Sequence, residues 1–176
     1  MKFGVQLYSL RERAARDGAE EVLRIVSEAG YDGVEFAGFY GKTPAEMKEL
    51  LEKYNLCGIS AHIRPEAVEE SLPYIDALGI RYVFIPHVAT EEFETPEKYA
   101  ALLENTAKAK ALLDARGVVF GYHNHAPEYG GGNDYLGKYT ADAGLKAELD
   151  VFWAHVAGKD AVSEMKRLSD RLAFVH

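Results

Sequence analysis

Val118-Val119-Phe120-Gly121-Tyr122-His123 is a β-branched and aromatic run that stops on an imidazole. The same pattern, a short apolar run closed by a polar residue, recurs at Phe3 to Gln6, Gly33 to Glu35, Cys57 to His62, Tyr82 to His87 and Leu145 to Asp150, and again at Leu172 to His176. Runs of this length and composition, bounded by turn residues, predict buried strands. Val34, Ile59 and Val83 recur about every 25 residues, which is the length of a strand, a helix and two short loops. The chain is therefore expected to be a βα repeat.

The intervening segments carry helix signals. Ala19 to Ala29 places Val22, Leu23, Ile25, Val26 and Ala29 on one stripe, and Gly30 follows as a C-terminal stop. Thr43-Pro44-Ala45-Glu46 reads as an N-cap, a first-turn proline and a capping glutamate, with Met47, Leu50, Leu51 and Tyr54 as the stripe and Asn55 as the end. Pro65 to Leu78 is closed by Gly79, and Thr95-Pro96 opens a helix running to Ala115 before Gly117. Gly130-Gly131-Gly132-Asn133 reads as a flexible active-site loop, with a short helix over Asp134 to Tyr139 and a sixth over Asp160 to Leu168. Seven strands and six helices of this kind predict a TM-free α/β protein of the (β/α)8 barrel type, a TIM barrel incomplete at its C-terminal end. A parallel barrel closes with an eighth strand, so the chain is expected to be a shortened form of a longer protein. The alternative is a doubly wound open sheet, which offers its ligands at one switch point rather than at every strand end.

The 176 residues, 48% of them hydrophobic, suit one globular domain. No apolar stretch approaches the roughly 20 residues that span a bilayer, and Met1-Lys2-Phe3-Gly4-Val5 reads as strand rather than signal peptide. A cytoplasmic location with no membrane partner is expected. The single cysteine, Cys57, forms no internal disulfide and is expected to pack in the core. A net charge of −8 repels a phosphate backbone, which argues against nucleic acid as a partner. An open sheet edge buried against a second copy would give a homo-oligomer.

Strand C-termini of a parallel barrel converge on one mouth. Five of the six histidines, His62, His87, His123, His125 and His176, sit at or just beyond predicted strand ends, with Glu35 and Asp150 at two others. Neutral imidazoles and carboxylates together form the donor set of Zn²⁺, Mn²⁺ and related divalent ions, and the imidazoles titrate near neutral pH.

Five motifs stand in order along the chain: Phe3-Gly4-Val5-Gln6-Leu7-Tyr8-Ser9, Gly30-Tyr31-Asp32-Gly33-Val34-Glu35, Gly121-Tyr122-His123-Asn124-His125, Glu148-Leu149-Asp150-Val151-Phe152-Trp153 and Phe174-Val175-His176. On these motifs the chain resembles the sugar phosphate isomerase/epimerase family of the xylose isomerase-like barrels. They fall in the family's order along the whole chain. The resemblance implies one divalent metal, Mn, Zn, Co or Mg, held by residues at the ends of strands five to eight. His123, Asp150 and His176 match the first three positions. Many relatives have Glu where His123 stands, and Glu128 is an alternative donor; the strand-eight Glu has no counterpart. The implied chemistry is isomerisation or epimerisation of a sugar or keto-sugar through an enediolate, with dehydration or elimination as the variant in the same site. His125 is the first candidate for proton transfer and Glu35 the second. Their structural alternatives are a hydrogen bond holding the strand-five loop and a buried carboxylate bonded to a neighbouring strand's histidine. Gln6, His62, His87 and Trp153 are expected to shape the pocket for a small sugar, Trp153 by its apolar face or, equally, by core packing. Arg64 is a possible anion contact, and His155 is expected in a surface loop. A DNA-repair nuclease of the same barrel and a non-catalytic carbohydrate-binding barrel are the competing readings.

Overall fold

The computed structural model describes residues 3–176; Met1 and Lys2, which head the stretch read as the first strand, lie outside the described residues. In chain order the elements are β1 (Gly4–Gln6), α1 (Arg11–Asp17), α2 (Ala19–Glu28), β2 (Gly33–Phe36), α3 (Pro44–Lys53), β3 (Cys57–His62), α4 (Val68–Leu78), β4 (Tyr82–Ile85) and α5 (Pro96–Asp114), then β5 (Val119–His123), α6 (Tyr135–Asp142), β6 (Lys146–Leu149), α7 (Val151–Val156), α8 (Ala161–Arg167) and β7 (Leu172–Val175). The strands occupy the sheet in sequence order. The pairs β1–β2, β2–β3, β5–β6 and β6–β7 are parallel. A doubly wound sheet reverses its order at a switch point, so the sequential order identifies the barrel type, with seven of its strands among the described residues.

Each strand lies within two residues of the run that predicts it, but the helices number eight among the described residues rather than six. Helix α1 buries only Ala14, so no apolar stripe announces it. Helix α7 begins on Asp150, which serves as its N-cap by accepting from Trp153 N at 2.9 Å. Elsewhere the caps fall as expected: Glu46 accepts from Thr43 N at 2.7 Å while Thr43 Oγ1 accepts from Glu46 N at 3.3 Å. No helix among the described residues is long and apolar enough to cross a membrane.

The chain forms two compact units, one comprising residues up to Ile63 with Glu69–Val83, the other Arg64–Val68 with Phe84–His176. In the first, α2 turns Val22, Leu23 and Val26 inward, and Val34, Phe36, Met47 and Ile75 are likewise buried. Each such side chain contributes about 1.5–3 kcal/mol by leaving water. Gly33 pairs with Cys57 across β2 and β3, and a Cβ on Gly33 would stand 2.3 Å from the Cys57 carbonyl oxygen. Cys57 itself is half-buried rather than in the core, and its thiol donates to Asp32 O at 3.3 Å. It stands at the N-terminal end of β3, where the strand leaves the core.

In the second unit Tyr122 and Tyr139 are fully buried and meet edge to face at 5.2 Å between ring centroids. Phe84 and Phe174 approach at 5.2 Å. The stretch expected to be a flexible loop follows a 3-10 turn that buries Glu128 and Tyr129, and Gly130 and Gly131 take non-helical backbone angles, Gly131 at φ +63°. Tyr129 donates to Glu164 at 3.3 Å, and Arg167 joins Glu164 to Asp134, so side chains anchor a backbone that glycine composition alone marks as loose.

Candidate functional site

The second unit gathers its polar strand ends. His123 closes β5 and sits beside Glu148 of β6 in the sheet register, Asp150 follows β6 directly, and His176 follows β7. A register shift between Ala147 and Glu148 sets Glu148 opposite Phe174. His176 Nδ1 stands 3.0 Å from Asp150 Oδ2, and His123 Nε2 stands 3.8 Å from the same oxygen. Donor atoms of these three residues lie within 4.8 Å of one another. The predicted trio is therefore brought together.

Glu148, which the sequence reading does not single out, lies behind the trio. Its Oε2 is 3.0 Å from His123 Nδ1, and both side chains are almost wholly buried. A carboxylate accepts and does not donate, so Nδ1 carries the hydrogen, and Nε2 is the ring nitrogen turned toward Asp150. That carboxylate behind an imidazole is the arrangement that orients metal-bound histidines. Asn124, also missed, fixes the other side: its Oδ1 accepts from Asp150 N at 2.8 Å and its Nδ2 donates to Asp150 O at 3.1 Å. Glu148 falls two residues before Asp150, on the period of a strand, and that spacing is the signal that could have found it.

Burial raises the Asp150 pKa, yet the hydrogen bond from His176, the N–H of Trp153 and the charges of His123 and His176 outweigh it and hold the carboxyl below its usual value. An ionised carboxylate with two imidazoles fits a divalent transition ion better than Mg²⁺, which prefers oxygen donors. Ligation by His176 through Nδ1 requires loss of the proton it donates to Asp150, the ordinary proton release of metal binding.

Glu128 is not part of this trio. Its carboxylate accepts from the Tyr122 hydroxyl and, at 3.0 Å, from His125 N, and it groups instead with His87 and His125. The His125 ring lies 4.9 Å from that of His123 and 5.5 Å from Trp153, between centroids. Trp153 is half-buried, which leaves ring surface available. Arg64 is exposed, and His155 lies exposed on α7 rather than in a loop, because the Asp150 cap starts the helix at once.

The first unit holds a separate network at the ends of β1, β2 and β3. Register puts Gln6 beside Glu35 and Glu35 beside Ser60. The Glu35 carboxylate accepts from Gln6 Nε2 at 2.8 Å and from Ser60 Oγ at 2.6 Å, and His62 Nε2 stands 3.1 Å away. Glu35 is thus a buried carboxylate bonded to the histidine of a neighbouring strand, which does not by itself bar it from proton transfer. Ser60 is an unforeseen member, hidden in the run Gly58-Ile59-Ser60-Ala61.

Comparison with known proteins agrees with this fold. The family model described as xylose isomerase-like TIM barrel matches residues 23–176. No curated protein matches the sequence. Similar solved structures include a sugar phosphate isomerase/epimerase from Parabacteroides distasonis, 21% identical with a TM-score of 0.78 over 99% of this chain and 74% of that one. An AP endonuclease, family 2, from Brucella melitensis is 17% identical with a TM-score of 0.81 over 99% and 78%. A D-allulose 3-epimerase from Methylomonas sp., solved with D-allulose, is 17% identical with a TM-score of 0.75 over 100% and 71%. At these identities the likeness establishes the fold.

Proposed function

Because this chain belongs to the xylose isomerase-like TIM barrel family, we propose that it is a divalent-metal-dependent isomerase or epimerase of a sugar or keto-sugar. The observation that carries the reading is the meeting of His123, Asp150 and His176, with Glu148 orienting His123 from behind. A divalent ion held by these residues supplies Lewis acidity to a carbonyl and its neighbouring hydroxyl. The protein's own groups do the rest. His125, half-buried and next to His123, takes the proton from the carbon beside the carbonyl and returns it. Trp153 offers its ring to the C–H side of the sugar, and His87 contributes a polar contact. In the first unit, Glu35 with Gln6 and His62 is a second acid–base group. Net charge of −8 supports a small-molecule partner over DNA, and the sugar named for the Methylomonas enzyme supports the substrate class.

The test is proton exchange. The full chain, loaded with Mn²⁺, Zn²⁺, Co²⁺ or Mg²⁺, is incubated in D₂O with D-allulose, D-fructose and related sugars, and products are read by NMR and chromatography. Deuterium entering beside the carbonyl, lost with EDTA and reduced at least about 100-fold in Asp150→Asn, is the expected result. A product lighter by one water would place the chain with the dehydratases. Absence of exchange with every metal and sugar would refute the assignment.

A further inference from the structure

We infer that Glu128 is a positioning residue for the proton transfer proposed at His125, a role that rests on that reading of His125. Its buried carboxylate, anchored by the Tyr122 hydroxyl, holds the His125 backbone and so aims the ring beside His123. His125 lies two residues past His123, the last residue of β5. Its backbone is extended, at φ −123° and ψ −179°, and its N–H donates to Glu128 Oε2 at 3.0 Å. The sequence His125-Ala126-Pro127-Glu128 closes this link locally. Pro127 stands in the first turn of the 3-10 segment, and the glutamate three residues beyond the N-cap reaches back to the cap amide.

The other carboxylate oxygen, Oε1, accepts from the Tyr122 hydroxyl. Successive strand residues point to opposite faces. Tyr122 accordingly turns to Tyr139 of α6, with ring centroids 5.2 Å apart, while His123 turns to Asp150. Because Tyr122 is fully buried, Glu128 ties His125 to the core of the second unit rather than to another loop. Glu128 is 1% exposed and both of its oxygens are engaged, so it does not meet substrate and acts only through His125. The His125 ring itself has aromatic neighbours, His123 at 4.9 Å and Trp153 at 5.5 Å between centroids, but ring contacts of this kind are weakly directional. The hydrogen bond at the backbone therefore sets where the ring starts from. Misplacing a reacting group by about 1 Å costs roughly 100-fold in rate.

The test compares Glu128→Ala, Glu128→Gln and Tyr122→Phe in the full chain. The metal and sugar are those, among Mn²⁺, Zn²⁺, Co²⁺ or Mg²⁺ and D-allulose or D-fructose, that give the fastest wild-type deuterium exchange beside the carbonyl. Glu128→Ala is expected to lower kcat for exchange roughly 100-fold, with KM and the amount of bound metal held near wild type. Glu128→Gln should recover most of that loss, because its amide oxygen accepts from His125 N–H and its amide N–H donates to the Tyr122 oxygen. Tyr122→Phe keeps the buried ring and removes only the anchor, so it should show a smaller loss in the same direction and serves if Glu128→Ala does not fold. A second readout needs no turnover: the ¹H–¹⁵N ring signals of His125 in the Zn²⁺-loaded protein, identified by their absence in His125→Ala. They should be single and sharp in wild type and Glu128→Gln, and broadened or doubled in Glu128→Ala and Tyr122→Phe. Wild-type kcat in folded Glu128→Ala, a loss in Glu128→Gln as large as in Glu128→Ala, or ring signals unchanged in every variant would each overturn the role. Absence of exchange in the wild type would fail the proposed function itself, and the ring signals then decide by themselves whether Glu128 holds His125.

Discussion

Glu148 offers the sharpest test of the site because it touches no proposed ligand atom, only the far side of one ligand's ring. Its carboxylate lies 3.0 Å from His123 Nδ1, with side-chain exposures of 2% and 5%. Glu148→Gln keeps an oxygen that accepts the Nδ1 hydrogen but removes the charge. A hydrogen bond to a charged group contributes about 1.5–3 kcal/mol against about 0.5–1.5 kcal/mol for a neutral one. The difference, about 1–1.5 kcal/mol, corresponds to a loss of roughly 5- to 10-fold in metal affinity. Glu148→Ala removes the support entirely and releases the ring, for which a loss of about 10- to 100-fold is expected. The measurement is competition titration with Zn²⁺, following the equivalent that Asp150→Asn abolishes, with urea unfolding of the metal-free proteins to separate folding from binding. Affinity that falls in the order wild type, Gln, Ala supports the argument. Wild-type affinity in Glu148→Ala, beside complete loss in Asp150→Asn, would refute it.

Three further outcomes follow from the same geometry. Gly33→Ala should cost about 3 kcal/mol or more in urea unfolding, because its Cβ would stand 2.3 Å from a backbone oxygen of the adjacent strand that has no room to retreat. Asn124→Ala should cost about 1–3 kcal/mol, since the buried N–H of Asp150 loses its acceptor while the Asp150 C=O keeps Ala154 N at 3.0 Å, and Asn124→Asp, which keeps the acceptor, should cost less. Burial raises the Glu128 pKa above 4.5 against the opposing hydrogen bonds of Tyr122 and the backbone, so the folded, metal-free protein binds this proton more tightly than the unfolded chain. That contribution is complete below pH 4.5 and is lost as pH rises through the folded pKa, so the stability of wild type relative to Glu128→Gln should decline as pH rises from about 4.5; a constant difference would contradict the burial argument.

Strand ends were legible because a short apolar run closed by an imidazole or carboxylate needs only period and composition to be seen. The resemblance ordered these ends, and it picked out His123, Asp150 and His176 as a group that the structure brings within reach. What stayed hidden depends on register. Glu148 meets His123 because β5 and β6 pair in one alignment, and the shift between Ala147 and Glu148 sets how that residue meets β7. A sequence pattern fixes which face a residue takes but not which neighbour it meets across the sheet. Ser60 beside Glu35 is the same case, after a register shift between Val34 and Glu35.

Asp150 shows why the boundary residues resist assignment from sequence. By its sequence pattern it closes a strand, while it is also the cap of the next helix, so one carboxylate has two tasks. Its Oδ1 accepts from Trp153 N, and its Oδ2 faces His176 and His123. The two tasks support each other. The helix amide holds one oxygen and thereby fixes the direction of the other, and Asn124 clamps the backbone of the same residue. Rigid aim at the donor cluster is the requirement of a metal ligand, and here it arises from helix capping. Replacing Trp153 would leave that amide in place, whereas any change that shifts the start of α7 would swing Oδ2 away from the imidazoles. The acidic end of β6 is therefore the point at which helix start, sheet register and proposed chemistry are set together.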